Sequence, residues 1–178
     1  MNVPRTARLN FKLMDENDGA LLFELDNDPA VMEHLTRGKV STMNTIKEVF
    51  IPRMQAYRNQ QQGWGLWQVN LNESDTFIGW ILIRPMKFFT EQPDYSDIEI
   101  GWRFKRVSWG KGYASEAAAA VADAVTQHTD VKALSATALK ENHGSIKVMK
   151  KLGMQFIEQY THSDEFGELP ALLYRKSV

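Results

Sequence analysis

The chain has 178 residues, of which 43% are hydrophobic and 24% charged, and its net charge is −1. These totals are typical of one soluble globular domain, and they exclude a bulk electrostatic attraction to nucleic acid or to an anionic membrane. The chain contains no cysteine, which excludes disulfides, a thiolate nucleophile and zinc–thiolate sites. Its four histidines lack ligand-like spacing, so no metal is expected. Apolar runs of signal-peptide or membrane-spanning length are absent from the sequence, and we expect a cytoplasmic protein.

Alternating apolar and polar residues predict seven strands. They cover residues 8–13, 66–71, 77–83, 98–104, 131–138, 156–161 and 172–175. Turn-forming residues at 72–75 and 163–167 predict two hairpins. The stretch 85–97 is rich in breakers and is predicted to be a loop, whose aromatic side chains either line a pocket or fold back onto the domain.

Helical spacing and capping residues predict five helices. Their starts are placed after Asp15, at Asp28-Pro29, at Thr42, at Ala114 and at Ser145. The third helix runs to about residue 62, and Pro52 should kink or split it. The order of strand, helices, antiparallel strands, helix, strand, helix and hairpin predicts a mixed α/β or α+β domain and not a regularly alternating wound sheet.

A glycine-rich turn, Trp109-Gly110-Lys111-Gly112-Tyr113-Ala114, joins the fourth strand to an alanine-rich helix. Such a turn exposes backbone N–H groups at the positive end of the helix dipole, which indicates an anion site, most naturally for phosphates. Its small residues let an oxygen approach the backbone, and Lys111 adds a positive charge. The spacing excludes a Walker loop, and Ser115 stands where a dinucleotide-binding fingerprint needs its third glycine.

The turn resembles the phosphate loop of the GNAT superfamily of acetyl-CoA-dependent N-acetyltransferases, Gln/Arg-x-x-Gly-x-Gly/Ala, with Trp109 in place of the first residue. Residues 109–117, Trp-Gly-Lys-Gly-Tyr-Ala-x-Glu-Ala, are similar to the branch of ribosomal-protein N-terminal-alanine and -serine acetyltransferases. Other matching stretches are Arg8-Leu9, Asp28-Pro29-x-Val31-Met32, Glu99-Ile100-Gly101-Trp102 and Asn142-x-x-Ser145-x-x-Val148-x-x-Lys151-Leu152-Gly153-Met154.

This resemblance implies one N-acetyltransferase domain over residues 1–178. The domain would have a mostly antiparallel, twisted sheet of about seven strands, splayed in the middle and flanked by helices on both faces. It would transfer an acetyl group from acetyl-CoA to a primary amine by direct attack on the thioester, without a metal.

The resemblance also implies which residues bind the acetyl donor. Backbone groups around Trp102 to Phe104 would hydrogen-bond the pantetheine arm and polarise the acetyl carbonyl, and the pyrophosphate would rest on the N–H groups of 110–115. Asn142 would contact the cofactor arm, although a helix cap would look the same. The implied set is Trp102, Arg103, Phe104, Trp109, Gly110, Lys111, Gly112, Tyr113, Ala114, Ser115, Asn142 and Lys147.

Two side chains are candidates for chemistry. Glu99 lies on the strand facing the splay and could accept the ammonium proton, or it could merely order neighbouring groups. Many members of the superfamily have a tyrosine acid four residues before the glycine that corresponds to Gly153, but this chain has Met149 there. Ser145 is the replacement candidate for hydrogen-bonding the sulfur, unless it only starts the helix.

The acceptor amine is left open by the sequence. The leading hypothesis is the N-terminal α-amino group of a protein or peptide. A small amine, such as a polyamine, an amino sugar or an amino-acid derivative, is the alternative, since Asp164, Glu165 and Glu168 could attract a cation. A non-catalytic acyl-CoA-binding sensor is the third hypothesis. The expected partners are therefore acetyl-CoA and an amine acceptor, with neither nucleic acid nor membrane, and a homodimer is left open.

Overall fold

The computed structural model describes residues 1–164 and 167–178, apart from the side chain of Asp164. The strands are β1 (Leu9–Leu13), β2 (Gly65–Leu71), β3 (Phe77–Met86), β4 (Asp94–Phe104), β5 (Ala133–Leu139), β6 (Gln155–Asp164) and β7 (Gly167–Ser177). The α-helices are α1 (Gly19–Asp26), α2 (Pro29–Thr36), α3 (Met43–Thr45), α4 (Ile51–Tyr57), α5 (Tyr113–His128) and α6 (His143–Lys151). Within these residues, no helix is long and apolar enough to cross a membrane.

The strands form one sheet in the order β1-β2-β3-β4-β5-β7-β6. Neighbours pair antiparallel except β4 and β5, which are parallel. The β4–β5 ladder covers only Asp97–Glu99 against Ala133–Ser135, although β4 continues to Phe104 and β5 to Leu139. The two strands therefore diverge, and the predicted mostly antiparallel sheet with a central splay is confirmed.

Helices cover both faces of the sheet, as predicted. Alternation along β4 turns Ile98 and Ile100 toward the core beneath α5 and α6. The small side chains of Ala117 and Ala118 are fully buried in that core, which lets α5 lie close to the strands. A second core forms on the other face among α1, α2, α4 and the strands β2 and β3. Glu99 and Arg103 belong to this second face by the same alternation.

The third predicted helix ends earlier than expected and is irregular before its proline. It comprises α3, a π-helical segment (Ile46–Phe50) and α4, which ends at Tyr57 and not near residue 62. Pro52 has no N–H to donate and its ring crowds the carbonyl of the residue four positions earlier. The helix accommodates this by widening for one turn directly before the proline.

The predicted loop over 85–97 is wrong at both ends, because β3 continues to Met86 and β4 already begins at Asp94. Pro85 pairs with Ile98, and the register shifts between Pro85 and Met86. Proline is tolerated in a strand at such an irregularity, where a ladder hydrogen bond is already missing. The last hairpin is likewise longer than predicted. Residues 165–166, which belong to the predicted turn and include the candidate Glu165, lie outside the described residues.

Candidate active site

The divergence of β4 and β5 opens a cleft of about 690 Å³. Its walls come from β4, from α2, from the glycine turn and from the start of α6. Nine of the fourteen predicted site residues line it: Glu99, Trp102, Arg103, Phe104, Trp109, Gly110, Ala114, Asn142 and Ser145. The other five, Lys111, Gly112, Tyr113, Ser115 and Lys147, are outside this lining. The structure thus brings most of the predicted residues to one cavity.

The glycine turn adopts a backbone that favours glycine at two positions. Gly110 has φ 74° and Gly112 has φ 81°, both left-handed. A Cβ at Gly110 would meet nothing within 4 Å among the described atoms, so conformation and not space requires this glycine. Gly112 is the N-cap of α5 and provides no side-chain cap. The first-turn N–H groups of α5 are therefore available to an anion, as a phosphate site needs.

Two residues near the N-terminus, Thr6 and Arg8, contact the glycine turn and the first turn of α5. Arg8 donates from Nη1 to the Lys111 carbonyl oxygen at 3.0 Å and from Nε to Glu116 Oε2 at 2.7 Å. Thr6 Oγ1 donates to Glu116 Oε1 at 2.6 Å, and the Arg8 guanidinium lies 4.5 Å from the Tyr113 ring centroid. Burial raises the pKa of Glu116, but the hydrogen bonds from Thr6 and Arg8 outweigh it and lower that pKa overall.

Glu99 is part of an ion pair. Arg84 of β3 donates from Nε to Glu99 Oε2 at 2.7 Å, and the two side chains are 19% and 18% exposed. The guanidinium lies 5.6 Å from the ring centroid of Tyr57 and 5.5 Å from that of Phe89. Burial raises the pKa of Tyr57 to about 12, so this phenol is neutral at physiological pH and is no proton acceptor. The pairing with Arg84 was not foreseen from the sequence.

Arg103 turns its side chain away from the phosphate turn. Its Nη1 donates to Asp26 Oδ1 of α1, a carboxylate that is only 3% exposed on its side chain. The guanidinium also lies 4.9 Å from the ring of Trp80. The side chain of Arg103 is therefore bound to α1, and its predicted contact with the pantetheine arm stays a prediction.

A buried polar cluster fixes the point at which the splay begins. Ser135 Oγ of β5 donates to Asp97 Oδ2 of β4 at 2.8 Å, and Arg175 Nη2 of β7 lies 2.7 Å from the same oxygen. Desolvation raises the pKa of Asp97, with the Ser135 hydrogen bond and Arg175 opposing it. Because these three strands are tied together at Asp97, the divergence starts two residues later, at Glu99.

The start of α6 carries the other candidate groups. Asn142 Oδ1 accepts a hydrogen bond from the Ser145 N–H at 3.0 Å, so Asn142 is the N-cap of α6. Ser145 Oγ accepts one from Trp102 Nε1 across the cleft at 3.2 Å. Lys147 is exposed. Met149 is 1% exposed and packs in the core, so Ser145 and not position 149 presents its side chain to the cleft.

Trp109 lies between β4 and the glycine turn and is hydrogen-bonded to the end of β4. Its Nε1 donates to the Phe104 carbonyl oxygen at 2.8 Å, while half of the side chain is exposed on the cleft wall. On the open side of β4 the ladder to β5 has already ended at Glu99. The strand edge from Ile100 to Phe104 thus faces the cleft without a neighbouring strand, an arrangement that suits an extended arm carrying amides.

Comparison with known proteins agrees with this geometry. The family profile described as acetyltransferase (GNAT) domain matches residues 8–155. The chain belongs to the GNAT acetyltransferase family. The uncharacterized N-acetyltransferase YnaD of Bacillus subtilis is 32% identical over 152 residues, which cover 84% of this chain and 81% of YnaD. GNAT enzymes of this kind transfer an acetyl group from acetyl-CoA to an amine, and this chain is accordingly an N-acetyltransferase.

Solved structures share the fold. A GNAT-family acetyltransferase from Bacillus anthracis is 26% identical, with a TM-score of 0.78 and coverage of 97% of this chain and 96% of the other. RimL, a ribosomal L7/L12 alpha-N-protein acetyltransferase solved with coenzyme A, has a TM-score of 0.79 at 13% identity, covering 100% and 98%. The aminoglycoside acetyltransferase AAC(6')-Ib, solved with coenzyme A, has a TM-score of 0.74 at 20% identity, covering 95% and 94%. One GNAT fold therefore serves both protein and small-molecule acceptors.

A smaller cavity adjoins the GNAT cleft on the side of α2 and the β6–β7 hairpin. It has a volume of about 160 Å³ and shares with the cleft six lining residues: Glu33, His34, Leu35, Thr137, Ala138 and Leu139. Tyr160 forms part of its wall, and burial raises the pKa of this phenol. Helix α2 and the last hairpin therefore meet at this cavity.

The aromatic residues of the predicted loop 85–97 line neither cavity. Phe88 and Phe89 pack against Tyr57, with ring centroids 5.9 and 6.1 Å away, and Tyr95 packs near Trp64 at 5.8 Å. Of the two alternatives left open, folding back onto the domain is therefore the observed one. Groups of three or more side chains that could hold a metal are absent from the described part of the chain.

Proposed function

We propose that the acceptor of this N-acetyltransferase is the N-terminal α-amino group of a peptide or protein. The observation that carries the proposal is the Arg84–Glu99 ion pair, with its 2.7 Å contact, at the centre of the cleft. A carboxylate that is already paired with a guanidinium is a poor site for a strongly basic ammonium group. It suits an acceptor that loses its proton easily.

The basicity of the acceptor supports this choice. An α-amino group has a pKa near 8, so about a quarter of it is neutral at pH 7.5, whereas an alkylamine with a pKa near 10.4 is neutral in only about one molecule in a thousand. Glu99 has one further carboxylate oxygen, Oε1, beside the oxygen that Arg84 engages. In our proposal this oxygen accepts the remaining ammonium proton, directly or through a water.

The charge balance of the cleft argues against a polycation as acceptor. Its charged lining residues within the described chain are Glu33 and Glu99 against Arg84, because the charge of Arg103 is offset by its partner Asp26. The adjoining cavity adds Arg37, so the charges of the two cavities together sum to zero. A polyamine or an amino sugar with several ammonium groups would find no excess of negative charge there.

The proposed donor site consists of backbone groups. The N–H groups from Gly110 to Ser115 would hold the pyrophosphate, with Lys111 as a mobile counter-charge, since the turn exposes them and leaves them without a side-chain cap. The open edge of β4 around Trp102 would receive the pantetheine arm. Asn142 and Lys147 would assist at the start of α6, and Ser145 would hydrogen-bond the departing sulfur.

Release of coenzyme A thiol from acetyl-CoA tests the proposal. Each peptide should be assayed with a free and with a chemically blocked N-terminus and otherwise the same sequence, beside a polyamine and an amino sugar. We expect turnover only with the free N-terminus. Equal turnover of the blocked peptide, or turnover of the polycations alone, would overturn the assignment. Tight acetyl-CoA binding without thiol release for any amine would favour the acyl-CoA sensor instead.

An amino-acid derivative is the second candidate, because the adjoining cavity is small. Its volume of about 160 Å³ is similar to the roughly 150 Å³ that accommodates a benzene ring in a protein interior. Such a cavity could hold one side chain while the α-amine lies at Glu99. A length series from an amino-acid amide to a pentapeptide separates the two candidates: kcat/KM that rises with length indicates a peptide acceptor, and a maximum at the amide indicates the small one.

A further inference from the structure

The indole of Trp102 makes a hydrogen bond that connects the two walls of the cleft. Trp102 lies on the free edge region of β4, and its Nε1 donates to Ser145 Oγ at the start of α6 at 3.2 Å. An indole can only donate, so the serine oxygen is the acceptor in this contact. Both residues line the cleft beside the position expected for the thioester.

The hydrogen bonds of Ser145 limit which further hydrogen bonds its hydroxyl group can make. A hydroxyl has one proton and two lone pairs, and the indole N–H occupies one of the lone pairs. The Ser145 N–H is held by Asn142 Oδ1 at 3.0 Å, so the backbone of the residue is fixed as well. The hydroxyl proton must then point away from the indole, and because Ser145 lines the cleft, this proton can be donated to a group bound there. A hydroxyl that accepts a hydrogen bond is also a somewhat stronger donor.

We propose that Trp102 is a positioning residue for acetyl transfer, acting through Ser145 on the leaving sulfur. The inference rests on the proposed role of Ser145 but is independent of which amine is acetylated. In the reaction the amine nitrogen forms the C–N bond, and the C–S bond breaks with its electron pair passing to sulfur. Ser145 donates a hydrogen bond to that sulfur and keeps its own proton. The proton lost by the amine passes to Glu99 or water, and solvent later protonates the thiolate.

Three variants test this role: Trp102→Phe, Ser145→Ala and the double variant. Trp102→Phe keeps an aromatic ring but removes the N–H, and we expect kcat to fall about 3- to 10-fold, the value of one neutral hydrogen bond, while KM for acetyl-CoA stays within about twofold. In the Ser145→Ala background the same change should have no further effect on kcat, because its route to the sulfur is already gone.

Trp67→Phe is the matched control. It also removes an indole hydrogen bond, from Nε1 to the Gly63 carbonyl oxygen at 2.8 Å, but this bond lies in β2 and outside the cleft. We expect it to lower thermal stability and to leave kcat unchanged at a temperature at which the variant is folded. A comparable fall of kcat in both tryptophan variants would show that Trp102 acts only through stability and would overturn the proposal.

The hydrogen bond itself is observable without turnover. In a ¹⁵N–¹H spectrum the Trp102 indole signal, identified by its loss in Trp102→Phe, should shift in Ser145→Ala, and an unshifted signal contradicts the contact. Kinetic losses that add in the double variant, or a changed KM with an unchanged kcat, also refute the positioning role. The rates are measured with whichever amine the wild-type protein accepts, so a non-peptide acceptor would refute the proposed acceptor and leave this test intact.

Discussion

The substitution Gly112→Asp tests the assignment of the phosphate site. Gly112 begins α5 with φ 81°, and its position is exposed. An added Cβ would lie 3.6 Å from Arg8 Nη2, an ordinary contact, so the new side chain fits without a clash. A carboxylate about 5 Å from each of two phosphate charges, at an effective dielectric constant near 60, costs about 2 kcal/mol in total. This corresponds to a roughly thirtyfold weaker Kd for acetyl-CoA.

Gly112→Asn is the control, because asparagine has the same shape as aspartate and tolerates the same left-handed backbone. Both variants carry any cost of replacing glycine, and only the charge differs between them. Acetyl-CoA binding should be measured for both by calorimetry at low and high salt. The ratio of their Kd values should shrink as salt screens the exposed charges. Equal affinities of the two variants at low salt would refute a pyrophosphate at this turn.

Three further substitutions have clear expected outcomes. Glu99→Gln should leave Arg84 without its charged partner and lower the free energy of unfolding by about 1–3 kcal/mol in urea titrations, while kcat for an α-amine falls less than kcat for an alkylamine. Glu116→Gln should lose about 1–3 kcal/mol at pH 7. The folded-state pKa of Glu116 is lowered, so this stability is present above its unfolded pKa and is lost as the pH falls through the folded pKa. The urea curves of variant and wild type should therefore converge at acidic pH, below the folded pKa. Met149→Tyr should lower the melting temperature and give no gain in kcat, since the phenol would enter the core and not the cleft.

The donor side of the site could be predicted because its signals are local. The turn from Trp109 to Ala114 needs glycines for its backbone conformation, and a phosphate bound there would be recognised by N–H groups that every residue but proline carries. The strand before it and the alanine-rich helix after it are set by periodicity over a few residues. Spacing along the chain was therefore enough to place the turn and the start of α6, whereas the splay was implied by the family resemblance.

The ion pairs of the candidate site could not be predicted from local sequence signals. Arg84 and Glu99 are 15 residues apart, and they meet because the register of β3 and β4 places them opposite each other. Arg8 and Glu116 are 108 residues apart, and they meet because the start of α5 packs against the N-terminal segment. A charged residue on an exposed strand face looks the same in sequence whether it is paired or solvated. The extended strands around Pro85 were missed for a related reason, since an irregular register is decided by the partner strand.

This difference explains why the donor is established and the acceptor is proposed. The proposed coenzyme A site lies mostly in one continuous segment, residues 102–115, whose backbone can be inferred from its own residues. The proposed acceptor side is lined by α2, β3, β4 and the last hairpin, and its charge depends on which carboxylate each guanidinium meets. If Glu99 lacked its partner Arg84, the same residues would form an acidic cleft suited to polycations. In our proposal the pairing, more than the composition, therefore sets which amines the site accepts.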